Sequence, residues 1–272
     1  MPGFPAAMFD WWWAYLALGA FVGFFAGLLG IGGGAAMVPV LAFIFAAKAF
    51  APMHVVHLAL GTAMATILFT SVSSVRAHQQ HGAVSWGIVR RMAPGIIIGT
   101  FGGALLASIL DLRLLTIVFT VLIYYLSAQM LFGRKPQPGT MPQTIAGTSI
   151  AAAGIGVISS LTATGGAALV IAYLIRRGTL IHQAIGTAAA IGWPLAAAGT
   201  AGYVITGWGK PGLPEYSIGY VYWPALAGIV IASILLAPVG ARLAHRTPST
   251  TLKKIFAVVL FVLATKMLVS FF

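Results

Sequence analysis

The sequence predicts an all-α polytopic membrane protein made of two inverted repeats. Each repeat is a broken re-entrant helix hairpin followed by three transmembrane helices. Three observations predict this. The 272 residues are 60% hydrophobic and only 7% charged, whereas a soluble domain is about 25% charged, so the surface must face lipid. Two apolar segments are too long for one crossing, and both are broken by glycine at matching places. Finally, the basic residues sort onto one side of the membrane only if those two segments dip in and return.

In chain order the apolar segments are residues 11–47, 55–75, 86–110, 112–132, 144–175, 184–206, 221–241 and 250–271. Six of them suit a single crossing of about 20 residues. The first and fifth overshoot roughly 30 Å of hydrocarbon at about 1.5 Å per residue. The breaks fall in GLLGIGGGAAMVPVL (27–41) and SSLTATGGAALVIAYL (159–174). A glycine inside a helix is less favourable than alanine by about 1 kcal/mol.

The two halves repeat. GGGAAMVPVL (32–41) lies over TGGAALVIAY (164–173), HLALGTAMA (57–65) over HQAIGTAAA (182–190), and LSAQML (126–131) over LATKML (263–268). The order is the same in both, which divides the chain into repeats 1–138 and 139–272, joined near GRKPQPGTMPQ (133–143).

With eight simple transmembrane helices, the competing topology, the basic loops fall on both sides. With the first and fifth segments re-entrant, Arg76, Arg90, Arg91, Arg134, Lys135, Arg176, Arg177, Arg242, Arg246, Lys253 and Lys254 share one side. Lys48, Arg113 and Lys210 face the other, together with the three acids Asp10, Asp111 and Glu215, and Lys266 lies inside the last segment near its end. Lysine and arginine mark cytoplasmic loops, so both termini lie outside. An odd number of crossings per repeat makes the second copy upside down, a common plan in secondary transporters.

The formal charge of +12 reflects these topological residues and predicts no nucleic-acid partner. There is no cysteine, so disulfides and thiolate metal sites are excluded; no cofactor or metal is expected. The first ten residues, MPGFPAAMFD, carry no basic residue, and no cleaved signal peptide is expected. The expected localisation is the cell (plasma) membrane. The expected partners are a small anionic substrate and the bilayer, with a homodimer allowed.

A helix that dips to mid-bilayer exposes backbone polar groups, which survive only against protein or water. Gly32, Gly33 and Gly34, and Thr164, Gly165 and Gly166, then form two tips. Each returning half-helix starts at its tip with free N–H groups and a positive dipole end, and two such ends make an anion site without buried charge. Hydroxyls are available at Thr162 and Thr164, and at Thr62 and Thr187 of the paired Gly-Thr motifs. The competing readings are close helix packing for the glycines and a hydroxyl bonded to its own helix for Thr62 and Thr187. Trp193 lines the cavity or packs a helix. His57 and His182 match across the repeat and are candidates for gating or proton coupling, with an interfacial role as the alternative. Trp11–Trp13, Tyr220, Tyr222 and Trp223 read as interfacial belts.

These glycine motifs and the two Gly-Thr copies resemble the TauE/SafE family of membrane permeases, also called the sulfite exporter family, over about residues 16–268. The resemblance implies transport of small sulfur-containing anions such as sulfite, sulfoacetate or other organosulfonates. It carries the first glycine motif to Gly32, Gly33 and Gly34 and the second to Gly165 and Gly166. The expected function is therefore a secondary transporter exporting such anions by alternating access. An anion channel is the alternative, and an intramembrane hydrolase using Ser159, Ser160 and His182 is a weaker one, since there is no GxSxG or HExxH motif.

Overall fold

The chain is seen in a computed structural model, which describes residues 11–29, 33–132, 145–244 and 249–271. Gly32 and the repeat boundary at 138/139 lie outside the described residues.

The first long segment is two helices, α1 (Trp12–Leu29) and α2 (Gly34–Ala47). Three longer helices follow: α3 (Pro52–Gln80), α4 (Trp86–Ile109) and α5 (Leu112–Phe132). The fifth segment is likewise split into α6 (Ile145–Thr162) and α7 (Ala167–Arg176), followed by α8 (Ile181–Gly207). A two-stranded hairpin, β1 (Ser217–Ile218) and β2 (Val221–Tyr222), leads into α9 (Trp223–Ala244), and α10 (Ser249–Phe271) ends the chain. Ten helices among the described residues replace the eight-helix alternative, and the hairpin was not expected from sequence. The protein is an all-α multi-pass membrane protein, with α3, α4, α5, α8 and most of α10 each long and apolar enough to cross a bilayer.

Contacts fix the chain directions. Tyr15, near the start of α1, packs on Tyr222, and so does Phe45 near the end of α2. The first segment therefore returns to the end it came from, here called the Tyr222 end. α3 begins at that end, with His57 stacked on Tyr220, and α4 returns to it, with Ala107 bonded to His57. The opposite end carries the α3–α4 turn, called the Ser85 end, where Ala83 lies against Gly186 at the start of α8. α6 runs parallel to α4, because Gly95, Gly99 and Gly103 meet Ser149, Ala153 and Val157 in turn. The α6–α7 segment thus enters from the Ser85 end and returns to it.

Packing is reciprocal between the halves. α1 lies along α9 and α6 lies along α4, in each case a hairpin helix of one half on the fourth helix of the other. Small residues make this possible: a Cβ on Gly19 or Gly23 would overlap backbone of Ile229 or Ser233. Between α5 and α10, Tyr124 and Phe261 stack with centroids 4.5 Å apart. They hold equivalent positions in the alignment of LSAQML with LATKML.

Tyr220 and Tyr222 are not belt residues. They are 3% and 4% exposed, because the β-hairpin tucks them between α2, α3 and α9. Burial holds the Tyr220 phenol above its usual pKa. Trp13 and Trp223 are exposed, as a belt requires.

Candidate functional site

The two breaks meet at the centre of the molecule. A Cβ on Gly34 would overlap the carbonyl oxygen of Ala163, so the first tip is pressed backbone-to-backbone onto the second. Ile67, about halfway along α3, sits beside both Gly34 and Gly165, and Leu195, about halfway along α8, sits beside Gly166. These neighbours place the tips at mid-depth. The second tip turns through Ala163, Gly165 and Gly166, with φ of 47°, 69° and 69°, a left-handed region that glycine enters without strain.

α2 starts after Gly33 and α7 after Gly166, neither with a side-chain cap or an acid in its first turn. No side chain takes up their leading N–H groups, although the Ala36 N–H reaches back to the Gly33 carbonyl at 3.2 Å. Beside the two starts lies a cavity of about 30 Å³ walled mostly by apolar atoms, room for one or two waters. Ala35 contributes from α2, and Thr164, Gly166, Ala168 and Leu169 from the second tip and α7. Leu126, Gln129 and Met130 of α5 and Phe256 and Leu260 of α10 close the sides. It lies on the Ser85 side of the tips, since α7 and the last turns of α5 both run that way.

The hydroxyls sit on one tip. Thr162 donates to the Ile158 carbonyl at 2.8 Å, so in its 3.1 Å pair with Thr164 the proton comes from Thr164. Ser159, fully buried, presents an unpartnered hydroxyl 3.0 Å from where a Cβ of Gly166 would stand.

Other sequence candidates lie elsewhere. Thr62 and Thr187 are fully buried and accept backbone N–H groups, Thr62 from Tyr222 at 3.0 Å and Thr187 from Ser85 at 3.0 Å. The preceding glycines, Gly61 and Gly186, let the carbonyls of Tyr220 and Ala83 approach where a side chain would collide. Each Gly-Thr pair thus clasps the residues leading into the fourth helix of the other half. The N–H groups these hydroxyls accept come not from their own helices but from 160 and 102 residues away.

The two matched histidines diverge. His57 is buried, and its Nε2–H donates to the Ala107 carbonyl at 3.0 Å. His182 is exposed at the Ser85 end. Ser159 and Ser160 are buried inside α6. Trp193 is 48% exposed and does not line the tip cavity. Among the described residues no three histidines or carboxylates gather as a metal site would require. Sequence reasoning passed over Gln129, the one amide side chain in the cavity wall; its signal was the repeated LSAQML block.

A broken-helix pair at mid-depth with packing exchanged between two halves sets the frame for comparison with known proteins. The family profile described as sulfite exporter TauE/SafE matches residues 15–267. The chain belongs to this family. Among TauE/SafE relatives, a probable membrane transporter protein of Haemophilus influenzae is 37% identical over 253 residues, covering 93% of this chain and 96% of that protein. The probable membrane transporter protein YdhB of Bacillus subtilis is 26% identical, covering 85% and 90%. A probable membrane transporter protein of Xylella fastidiosa is 26% identical, covering 90% of each. No solved structure matches this TauE/SafE chain.

Proposed function

We propose that this chain is a secondary transporter that exports small sulfur-containing anions, such as sulfite, sulfoacetate or other organosulfonates, by alternating access. The observation that carries this reading is the meeting of two uncapped helix N-termini at a shared mid-depth cavity. Family membership supports the substrate class. Thr164 and Gly166 line the site from the second tip, Gly33, Gly34, Thr162 and Gly165 stand in the adjoining turns, and Gln129 faces it from α5. The Ser85 end carries Arg76, Arg90, Arg91, Arg176 and Arg177, which supports its assignment to the cytoplasm. The two halves then act as inverted repeats that rock about the tips.

Export needs no carboxylate carrier. A membrane potential negative inside drives an anion outward by about 2.3 kcal/mol per charge per 100 mV. The anion gains from fixed amide dipoles in a low-dielectric setting what an arginine would supply at greater desolvation cost.

Proteoliposomes loaded with sulfite, sulfate, sulfoacetate or chloride test the reading. Efflux of sulfite or sulfoacetate well above that of chloride, rising with an opposing-charge diffusion potential, is expected. Equal fluxes of all four, or none above empty liposomes, contradict it.

A further inference from the structure

The internal repeat gives every residue of the tip cavity a partner in the other half. Aligning the tips pairs Ala168 with Ala36, Leu169 with Met37, and Gly166 with Gly34. Aligning LSAQML with LATKML pairs Met130 with Met267, Phe256 with Phe119, and Leu260 with Ile123. Glycine, alanine, methionine and phenylalanine repeat unchanged, and the other two pairs exchange one aliphatic side chain for another. The same alignment pairs Ser85 with Tyr222 and Ala83 with Tyr220, the residues held by the two Gly-Thr clasps. The correspondence is therefore spatial as well as sequential.

The two sets differ in packing. On the Ser85 side Ala168, Leu169 and Met130 are half-buried around a cavity. On the Tyr222 side their partners Ala36, Met37 and Met267 are 0%, 1% and 0% exposed, while the remaining pairs are buried at both ends, Phe119 and Ile123 at 0% and Phe256 and Leu260 at 2% and 3%. Nearly the same residues thus border a small cavity at one end and pack closed at the other. Two positions change chemistry: Thr164 is matched by Gly32, and Gln129 at the cavity is matched by Lys266, which is exposed beyond the plug, with its ammonium 5.3 Å from the Phe43 ring.

We propose that the plug of Met37, Phe119, Ile123 and Met267 is a second, closed vestibule for the same anion, with Lys266 at its mouth. The proposal rests on the transport reading above. Opening it while the Ser85-side cavity packs shut exposes the tips to the Tyr222 end, and the lysine then gives a departing anion its first cationic contact. The structure holds its cavity on the Ser85 side of the tips. The Gln129–Lys266 mismatch makes the two mouths unequal: an amide on one side, a positive charge on the other.

Because the natural chain has no cysteine, single cysteines read the two sides directly. Leu169→Cys, Met130→Cys, Met37→Cys and Met267→Cys are reconstituted and labelled with a membrane-impermeant maleimide from each face. Without substrate, the first pair is expected to react at least ten-fold faster than the second. In a Phe119→Ala background, or Ile123→Ala should that variant fail to fold, the order reverses: Met37→Cys reacts from the Tyr222 face and Leu169→Cys becomes protected. A sulfoacetate gradient produces the same reversal in the unthinned protein. Met37→Cys and Met267→Cys staying inert in both thinned backgrounds overturns the proposal, as does equal labelling of all four positions at rest. The thinned variants need no substrate, so their result stands apart from the flux assay: reversal without sulfoacetate transport would refute the substrate and retain the vestibule.

Discussion

Gly34→Ala abolishes transport and destabilises the protein, by an expected 1–3 kcal/mol or more from overpacking alone. The new methyl group would overlap the Ala163 carbonyl oxygen. That carbonyl cannot retreat cheaply, because Ala163 is itself held at a φ of 47° in a turn that also takes Gly165 and Gly166 left-handed. The methyl group would also press on Ile67 of α3. Both tips must shift, and with them the relation between two helix N-termini on which anion binding depends. Gly154→Ala is the control: it stands in α6 with nothing within 4 Å of its Cβ position, and there alanine is neutral or stabilising by about 0.5–1 kcal/mol. Thermal unfolding in detergent and efflux from liposomes check both variants. Equal behaviour of the two would remove the tip contact from the account.

Thr62→Val destabilises more than Thr187→Val, and the double variant unfolds at the lowest temperature. Valine keeps the shape and deletes the acceptor. The Tyr222 N–H bonded by Thr62 is buried, whereas the Ser85 N–H bonded by Thr187 is partly reached by solvent. A buried donor left unpaired costs about 1–3 kcal/mol, and one that water can rescue costs less. Since the two clasps are at opposite ends and share no partner, their effects add. Anion affinity is expected to be unchanged in both single variants, because each hydroxyl is occupied by a backbone group away from the tip cavity. A loss of affinity in Thr62→Val at unchanged stability would return that residue to the binding site.

Much of this architecture is written in local chemistry. GGG at 32–34 and TGG at 164–166 break helices where any reading of length and glycine content says they must, and the helices do end beside them. The charge pattern carried the re-entrant reading, because topogenic arginines act through loops that the sequence shows directly. What stayed hidden was long-range. The Gly-Thr motifs were visible as a repeat, but their partners, Tyr222 and Ser85, lie in the other half of the fold. A hydroxyl's acceptor role toward so distant a backbone leaves no local trace. Tyr220 and Tyr222 read as belt residues because aromatic composition is the same for an interface and for a small packed hairpin. Helix α3 runs on through a polar stretch to Gln80, beyond the apolar residues 55–75, since helices extend past the hydrocarbon without changing period. His57 and His182 match in sequence but not in burial, as the β-hairpin covers only one of them.

The central claim is that main-chain N–H groups at the starts of α2 and α7 hold the anion. Proline in the first turn of a helix deletes an N–H that has no intrahelical acceptor, with little effect on the helix itself. Ala35 and Ala168 occupy the second position of α2 and α7, and both line the cavity. Calorimetric titration of sulfoacetate into detergent-purified Ala35→Pro and Ala168→Pro is therefore the most direct measurement. A loss of affinity of about ten-fold or more in each, at near wild-type melting temperature, is the predicted result. Wild-type affinity in both folded variants would contradict the account.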